Sequence, residues 1–175
     1  MNWYKLINNI KEFPDNFKQG IINLIKYFPV IWKTREWDSG FTYELLIFKL
    51  KQQAKCLRKY NRYVGVQRDC QIIDAVVKLL ERDKDEYYLM EYFDYYHSEM
   101  EFIPLEDNED LSKIHFKETY NNLQEYFKKY PKLYEKYKFK EDDFSIALRM
   151  GRELQEKCHN LAFELIKRNI QKWWD

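Results

Sequence analysis

Basic and aromatic side chains alternate in the segment from Tyr126 to Lys140. The segment holds six lysines and six aromatic residues but a single acid, Glu135. Because lysine neutralises phosphate and aromatic rings stack on bases, this mixture suits a nucleotide or a single nucleic-acid strand. The alternative is that the rings face the core and the lysines face water. The candidate contact residues are Lys128, Lys129, Tyr130, Lys132, Tyr134, Lys136 and Tyr137.

Tryptophans form a second group of candidate binding residues. Trp32 and Trp37 flank Arg35, and Trp173 and Trp174 stand next to each other near the C-terminus. On one helix two neighbouring side chains point about 100° apart, so Trp173 and Trp174 are both buried only if two faces are covered. The connector around Trp32 and Trp37 would supply that cover as an aromatic plug. Otherwise the surplus ring surface indicates a protein interface or a homodimer contact, where Trp, Tyr and Arg concentrate binding energy.

The sequence lacks the common arrangements of catalytic residues. Its four glycines are isolated, so no glycine-rich turn can surround a phosphate. No serine lies in a G-x-S-x-G motif. Cys158 and His159 are neighbours on a predicted helix and point about 100° apart, so they cannot pair with each other. We therefore predict a protein that is not an enzyme and that has neither catalytic residues nor a cofactor.

A carboxylate-bridged di-iron site would need two Glu-x-x-His units that face the centre of a helical bundle. Glu156-x-x-His159 fits this spacing, and Asp94-x-x-His97 is a looser copy. On a helical wheel whose apolar stripe runs through Ala147, Glu156 falls about 180° away and His159 about 120° away. Ligands of a metal in a bundle core must point inward together, so we predict no metal site.

The spacing of hydrophobic residues predicts an all-α, bundle-like single domain. Four glycines and four prolines are too few for the turns of a β-rich fold. We predict a helix over the unusually aromatic residues 83–103, and apolar residues at helical spacing predict another from Phe116 to Tyr130. The clearest pattern predicts a long C-terminal helix from Asp143 to about Trp173, roughly 45 Å in length.

Proline positions suggest how the N-terminal part is organised. Pro14 and Pro29 each follow a short amphipathic run, and proline disrupts the interior of a helix. We therefore predict two short helices within residues 1–28 and a helical main body over residues 29–175.

Charge and composition limit the classes of partner. The sequence has 30 basic and 29 acidic residues, a net charge of +1, so its overall charge attracts neither nucleic acid nor an anionic membrane. No apolar stretch approaches the roughly 18 residues of a membrane span, and the N-terminus lacks the apolar core of a signal peptide. The three cysteines form no C-x-x-C pair, which is typical of reduced thiols. We expect a cytoplasmic protein with no membrane partner, and we disfavour nucleic acid.

Two segments carry a resemblance to a known group of proteins. One is Phe28-Pro29-x-x-Trp32 with Arg35-x-Trp37-Asp38, and the other is the end of the chain, from His159 to Trp173-Trp174-Asp175. Together they resemble an uncharacterised family of small helical proteins encoded by tailed bacteriophages. The resemblance covers about half of the chain and implies a viral origin and action in the host cytoplasm. The family has no activity to carry over.

Three hypotheses for function follow from these observations. The first is a phage protein that binds without catalysis, either by inhibiting a host protein, for instance one of host defence, or by sequestering a nucleotide-type signal. The second is a structural or assembly protein that forms homo-oligomers through its aromatic surface. The third and last is a helical metal-dependent enzyme.

Overall fold

The computed structural model describes residues 3–32, 39–61, 63–105, 108–139 and 142–174, with the backbone alone at 3–13, 105, 108–111 and 174. The chain divides into two compact units, Met1–Gln52 and Gln53–Asp175. This division falls within α2 (Ser39–Tyr60), whereas the predicted boundary after residue 28 falls inside α1 (Trp3–Ile31). The described part is mainly helical, as predicted, but it also contains an antiparallel hairpin, so the prediction of an all-α fold is correct only in part.

In the first unit, α1 is one continuous helix, so the prediction of two short N-terminal helices is wrong. The helix passes through both Pro14 and Pro29, and beyond its end the Trp32 N–H donates to the Phe28 carbonyl at 2.8 Å. A proline inside a helix costs about 3 kcal/mol because a backbone hydrogen bond is lost. The apolar residues before and after Pro14 nevertheless fall on the same helical face, so one helix presents a single unbroken apolar stripe.

The second unit is built around the contact between α3 (Val66–Lys84) and α7 (Asp143–Asn169). On α3, Ile73, Val76 and Leu80 recur at helical spacing and are completely buried. On α7 the buried residues are mostly small or flexible, which lets the neighbouring backbone come close; they are Ile146, Ala147, Met150, Gly151, Cys158 and Ala162. The predicted long C-terminal helix is confirmed, and its last turn tightens into a 3-10 turn over Ile170–Trp174.

The start of α7 is fixed by an N-cap. The Ser145 N–H donates to Asp142 Oδ1 at 3.0 Å, and the Ser145 hydroxyl donates to Asp142 Oδ2 at 2.8 Å. These hydrogen bonds favour the ionised carboxyl and lower the pKa of Asp142. A carboxylate at this position also interacts favourably with the helix dipole.

Residues predicted to be helical between 83 and 103 instead form a short helix, a turn and a strand. α4 (Tyr87–Met90) and a 3-10 turn (Glu91–Asp94) lead into β1 (Tyr96–Leu105), which pairs antiparallel with β2 (Asn108–Asn121). The predicted helix over 83–103 is therefore wrong from Tyr96 onward. Here apolar residues alternate with polar ones, a period of two that the dense aromatic content concealed.

The predicted helix from Phe116 to Tyr130 is correct only in its second half. Phe116 and Tyr120 lie in β2, and the helix α5 runs from Leu123 to Lys129. α6 (Pro131–Tyr137) then begins with Pro131 in its first turn, where the missing N–H of proline costs nothing. The apolar residues at the end of β2 and those of α5 follow the same helical spacing by coincidence. The sequence therefore predicts one helix where the structure has a strand and a helix.

We predict that Gly151→Ala destabilises the second unit by about 1–3 kcal/mol, the typical cost of overpacking. A Cβ at Gly151 would lie 2.9 Å from the Tyr88 carbonyl oxygen, which is backbone and cannot rotate away. The measurement is Tm by circular dichroism, with an expected fall of several degrees. Gly20→Ala is the matched control, because a Cβ there meets nothing within 4 Å. Equal Tm values for the two variants would show that α4 does not pack on α7 as described.

Candidate functional site

The aromatic residues of the Tyr126–Lys140 segment largely face the interior of the second unit. Tyr126 and Phe127 are buried, and Tyr134 stacks on Phe127 with 4.5 Å between ring centroids. Tyr130, Tyr134 and Tyr137 pack against the core cluster that contains Tyr92 and Met150. The structure therefore places these rings as in the alternative interpretation, in which they form the core.

Most of the described lysines of this segment lie next to a carboxylate of the same chain. Lys128 pairs with Glu125 on the exposed surface of α5, and the partly exposed Lys138, just after α6, pairs with Glu135; each distance is 2.6 Å. Lys129 pairs with Glu91, and Lys136 with Glu153 at 2.6 Å. These pairs partly neutralise the positive charge that a phosphate ligand would need. Lys132 is exposed, and Lys140 lies outside the described residues.

Glu91 is a buried acid that no pattern in the sequence singles out. It lies in the 3-10 turn before the hairpin, accepts a hydrogen bond from the Tyr130 hydroxyl at 2.7 Å, and pairs with Lys129. The hydrogen bond to Glu91 raises the pKa of Lys129, and burial raises the pKa of Tyr126 and Tyr130. The Tyr126 hydroxyl is itself buried and has no hydrogen-bond partner in the described structure. This cluster ties α5 to the base of the hairpin, with the Glu91 carboxylate buried and the Lys129 side chain partly exposed.

An open groove of about 880 Å³ runs between α6 and α7. It combines Lys136 and Tyr137, both predicted contact residues, with Arg149, Arg152 and Lys157 of α7. The Tyr126–Lys140 segment contains no arginine, whereas α7 supplies two, and arginine binds phosphate through two parallel hydrogen bonds. The groove is also lined by Ser145, Leu148, Glu153, Glu156 and Asn160.

Glu153 organises the middle of this groove. It accepts hydrogen bonds from Lys136 at 2.6 Å and Tyr137 at 2.5 Å, and pairs with Lys157 at 2.7 Å. These three donors hold the pKa of Glu153 at about 2. The carboxylate fixes the two lysines along the groove, but it also occupies part of their capacity for an anionic ligand.

The predicted tryptophan sites have different environments. Trp32 is 74% exposed, and its ring lies 5.0 Å from that of Phe28. Trp173 is only 2% exposed, and its carbonyl accepts a 2.5 Å hydrogen bond from Gln53, so it belongs to the core of the second unit. Arg35 and Trp37 lie outside the described residues, as does the Trp174 side chain.

The acid–histidine pairs of the sequence are not brought together. Glu156 is exposed, whereas His159 Nδ1 lies 2.8 Å from Oδ2 of the buried Asp83. Gln155 donates to the other oxygen of Asp83 at 2.9 Å, so this cluster links α3 to α7. Within the described ranges, no three His, Cys, Asp or Glu side chains are placed to hold a metal ion. Asp83 is a second buried acid that sequence reasoning missed.

The hairpin carries a group of exposed apolar side chains. Met100 lies opposite Phe116, and Phe102 lies opposite Ile114, so the four side chains share one face of the sheet. We call this set the hairpin apolar face. Its members are 52%, 60%, 65% and 48% exposed, respectively. Sequence reasoning assigned Met100, Phe102 and Phe116 to helices and gave Ile114 no element, and therefore did not find this face.

The opposite face of the hairpin is charged. Glu99 pairs across the strands with Lys117, and Glu101 pairs with His115. Acidic residues thus lie on β1 and basic residues on β2, which favours their pairing in this register. One face of the hairpin is therefore apolar, and the other is mainly charged, with Ile103 as its exposed apolar residue.

Within the described ranges, no helix has both the length and the apolar character needed to cross a membrane. Comparison of the chain with models of protein families, with curated proteins and with solved structures found no match.

We expect the stability of the protein to decrease between pH 5 and pH 2, partly because of Glu153. Its pKa in the folded state is below the ordinary value of 4.5, so its contribution is present above that value and is lost as the pH falls toward 2. Glu153 should contribute only about 1 kcal/mol to the free energy of unfolding, because its partners Lys136 and Lys157 are more than half exposed and solvent screens the interaction.

The test is urea denaturation of Glu153→Gln at several pH values, with Glu156→Gln as a control that removes an exposed carboxylate from the same helix. Glu153→Gln should be less stable than the wild type at pH 7 and nearly equal to it at pH 2. A constant difference at all pH values would contradict the assignment.

Proposed function

We propose that this chain is a non-enzymatic binding protein that contacts a partner protein through the hairpin apolar face. The observation that carries the proposal is the exposure of Met100, Phe102, Ile114 and Phe116 side by side on one face of the sheet. Contiguous exposed apolar patches are uncommon on proteins that act alone, and they mark sites of interaction.

The geometry of the hairpin supports a partner rather than an internal role. A two-stranded hairpin is marginally stable by itself and is normally covered by a third layer. In this chain β1 packs on the 3-10 turn at its base, and the apolar face beyond remains open to solvent. Each strand also has an open edge, to which an extended segment of a partner could add main-chain hydrogen bonds.

The choice of a host protein as the partner rests on the resemblance to phage proteins. If that resemblance reflects kinship, the partner is a bacterial protein that is inhibited when the hairpin covers part of its surface, in the host cytoplasm. Self-assembly through the same apolar face is the alternative. The two differ in how the mass of the purified chain responds to Phe102→Lys, because only assembly through the hairpin apolar face would be lost with that substitution.

A second candidate function is the sequestration of a nucleotide-type signal in the groove between α6 and α7. The specific observation in its favour is that Arg149 and Arg152 join Lys136, Lys157 and the Tyr137 ring along one groove. Guanidinium and ammonium groups would bind phosphates, and the tyrosine ring would contact a base. Glu153 opposes this role, since it already accepts hydrogen bonds from both lysines.

We predict that Phe102→Lys abolishes binding to the partner, because a charge is placed at the centre of the hairpin apolar face. Ile103→Lys is the matched control, since Ile103 is also about half exposed, at 47%, but lies on the opposite face of the same strand. The measurement is capture from a bacterial lysate with quantitative mass spectrometry, alongside Tm for both variants. A captured protein should be lost with Phe102→Lys and retained with Ile103→Lys. Equal retention by both variants would rule out the apolar face as the contact.

The nucleotide function predicts that cyclic or linear nucleotides raise Tm. A ligand present at 100 times its Kd stabilises by about 2.7 kcal/mol, which corresponds to several degrees. Arg152→Gln should remove most of this increase, whereas Lys78→Gln, an exposed substitution on α3, should not. If no nucleotide in a panel changes Tm, or if both variants respond like the wild type, the groove is not a nucleotide site.

A further inference from the structure

The apolar residues of α1 follow a seven-residue repeat along the whole helix. From Trp3 to Ile31 the spacing alternates between four and three residues, and all these positions lie within α1. The positions are Trp3, Ile7, Ile10, Pro14, Phe17, Ile21, Leu24, Phe28 and Ile31, which we call the α1 seam. Alternation of four and three is the signature of a helix that pairs with another helix in a coiled coil.

The described part of the α1 seam is exposed to solvent. Ile21 is 44% exposed, Leu24 70% and Phe28 56%. The side of α1 away from the seam carries polar residues such as Asn23 and Lys26. Burial of large aliphatic and aromatic side chains is the main driving force for helix association in water.

We propose that α1 pairs with α1 of a second copy of this chain in a parallel two-stranded coiled coil. The seam is self-complementary, which a two-fold symmetric dimer requires. With 29 residues the helix is roughly 44 Å long and spans about four heptads, the length at which such pairing becomes stable. The inference concerns a different surface from the hairpin apolar face and does not depend on the function proposed for it.

Charges beside the seam favour the parallel orientation. In a parallel pair, the residue just before a seam position such as Pro14 or Ile21 faces the residue five places later in the second copy. Phe13 therefore lies near Lys18 of the second copy, and Gly20 lies near Ile25. No like charges meet in that arrangement. In an antiparallel pair, the registers with the greatest overlap set Lys11 opposite Lys18, or Lys18 opposite itself, and like charges there are destabilising.

The first test is the mass of the purified full-length chain by light scattering at micromolar concentration. We expect a mass of about 44 kDa, twice the chain mass of 21.9 kDa. Leu24→Lys should give the mass of one chain, whereas Asn23→Lys, which adds the same charge on the adjacent exposed position, should remain dimeric. Tm of the second unit should be the same in both variants, because neither residue belongs to it.

Orientation is tested by cross-linking in a Cys56→Ser background, since Cys56 is the exposed cysteine among the three. Under oxidation Ile21→Cys should form a disulfide-linked dimer, because residue 21 meets residue 21 of the second copy only in the parallel pair. Asn23→Cys should not. A wild-type chain that is monomeric overturns the proposal. Binding of that monomer to vesicles of anionic lipid would then assign the seam to a membrane surface. A dimer that Leu24→Lys leaves intact overturns the proposal as well.

Discussion

The second unit depends on how closely α7 can approach its neighbours. Small residues on the buried side of α7 allow this, most clearly Gly151, where the Tyr88 carbonyl comes within 2.9 Å of the place a Cβ would occupy. The close approach of the α4 backbone to α7 determines where α4 lies. The 3-10 turn follows α4 directly and leads into the hairpin, so its position is determined as well. The hairpin apolar face is therefore presented from a rigid base although little else supports the strands.

Two buried acids reinforce this arrangement. Asp83 joins α3 to α7 through His159 and Gln155, and Glu91 joins the base of the hairpin to α5 through Lys129 and Tyr130. A buried carboxylate is costly unless its oxygens are satisfied, so each acid tolerates few alternative placements of the surrounding helices. The two clusters therefore restrict how the helices and the 3-10 turn around them can pack.

The helices with a long, regular pattern could be predicted from the sequence, and the hairpin could not. α7 buries one face against the rest of the unit, so its apolar residues recur with the helical period and its length and position were predictable. In β1 and β2 the apolar face is exposed and the aromatic content is high, so the period of two was hidden among residues that also fit a helix. The prediction of two helices in place of α1 was wrong because the local cost of Pro14 was given more weight than the apolar stripe that continues on both sides of it.

For the groove between α6 and α7, the sequence could predict the types of residue on α6 but not their surroundings. The sequence identified the lysine and aromatic residues of the Tyr126–Lys140 segment but left open whether the rings face the core, because that depends on the position of α7 beside them. The carboxylates that neutralise Lys129 and Lys136 are distant in sequence, at Glu91 and Glu153, and nothing local points to them. The same holds for Arg149 and Arg152, whose place in the groove follows from the packing of α6 on α7.

We propose that a partner protein covers the hairpin apolar face. Hydrogen exchange of the backbone amides, measured on the free chain and on its complex with the captured partner, tests this most directly. We expect the amides of β1 and β2 to exchange faster than those of α3 and α7 in the free chain and to become protected in the complex. Protection that is confined to other elements, with the hairpin unchanged, would contradict it.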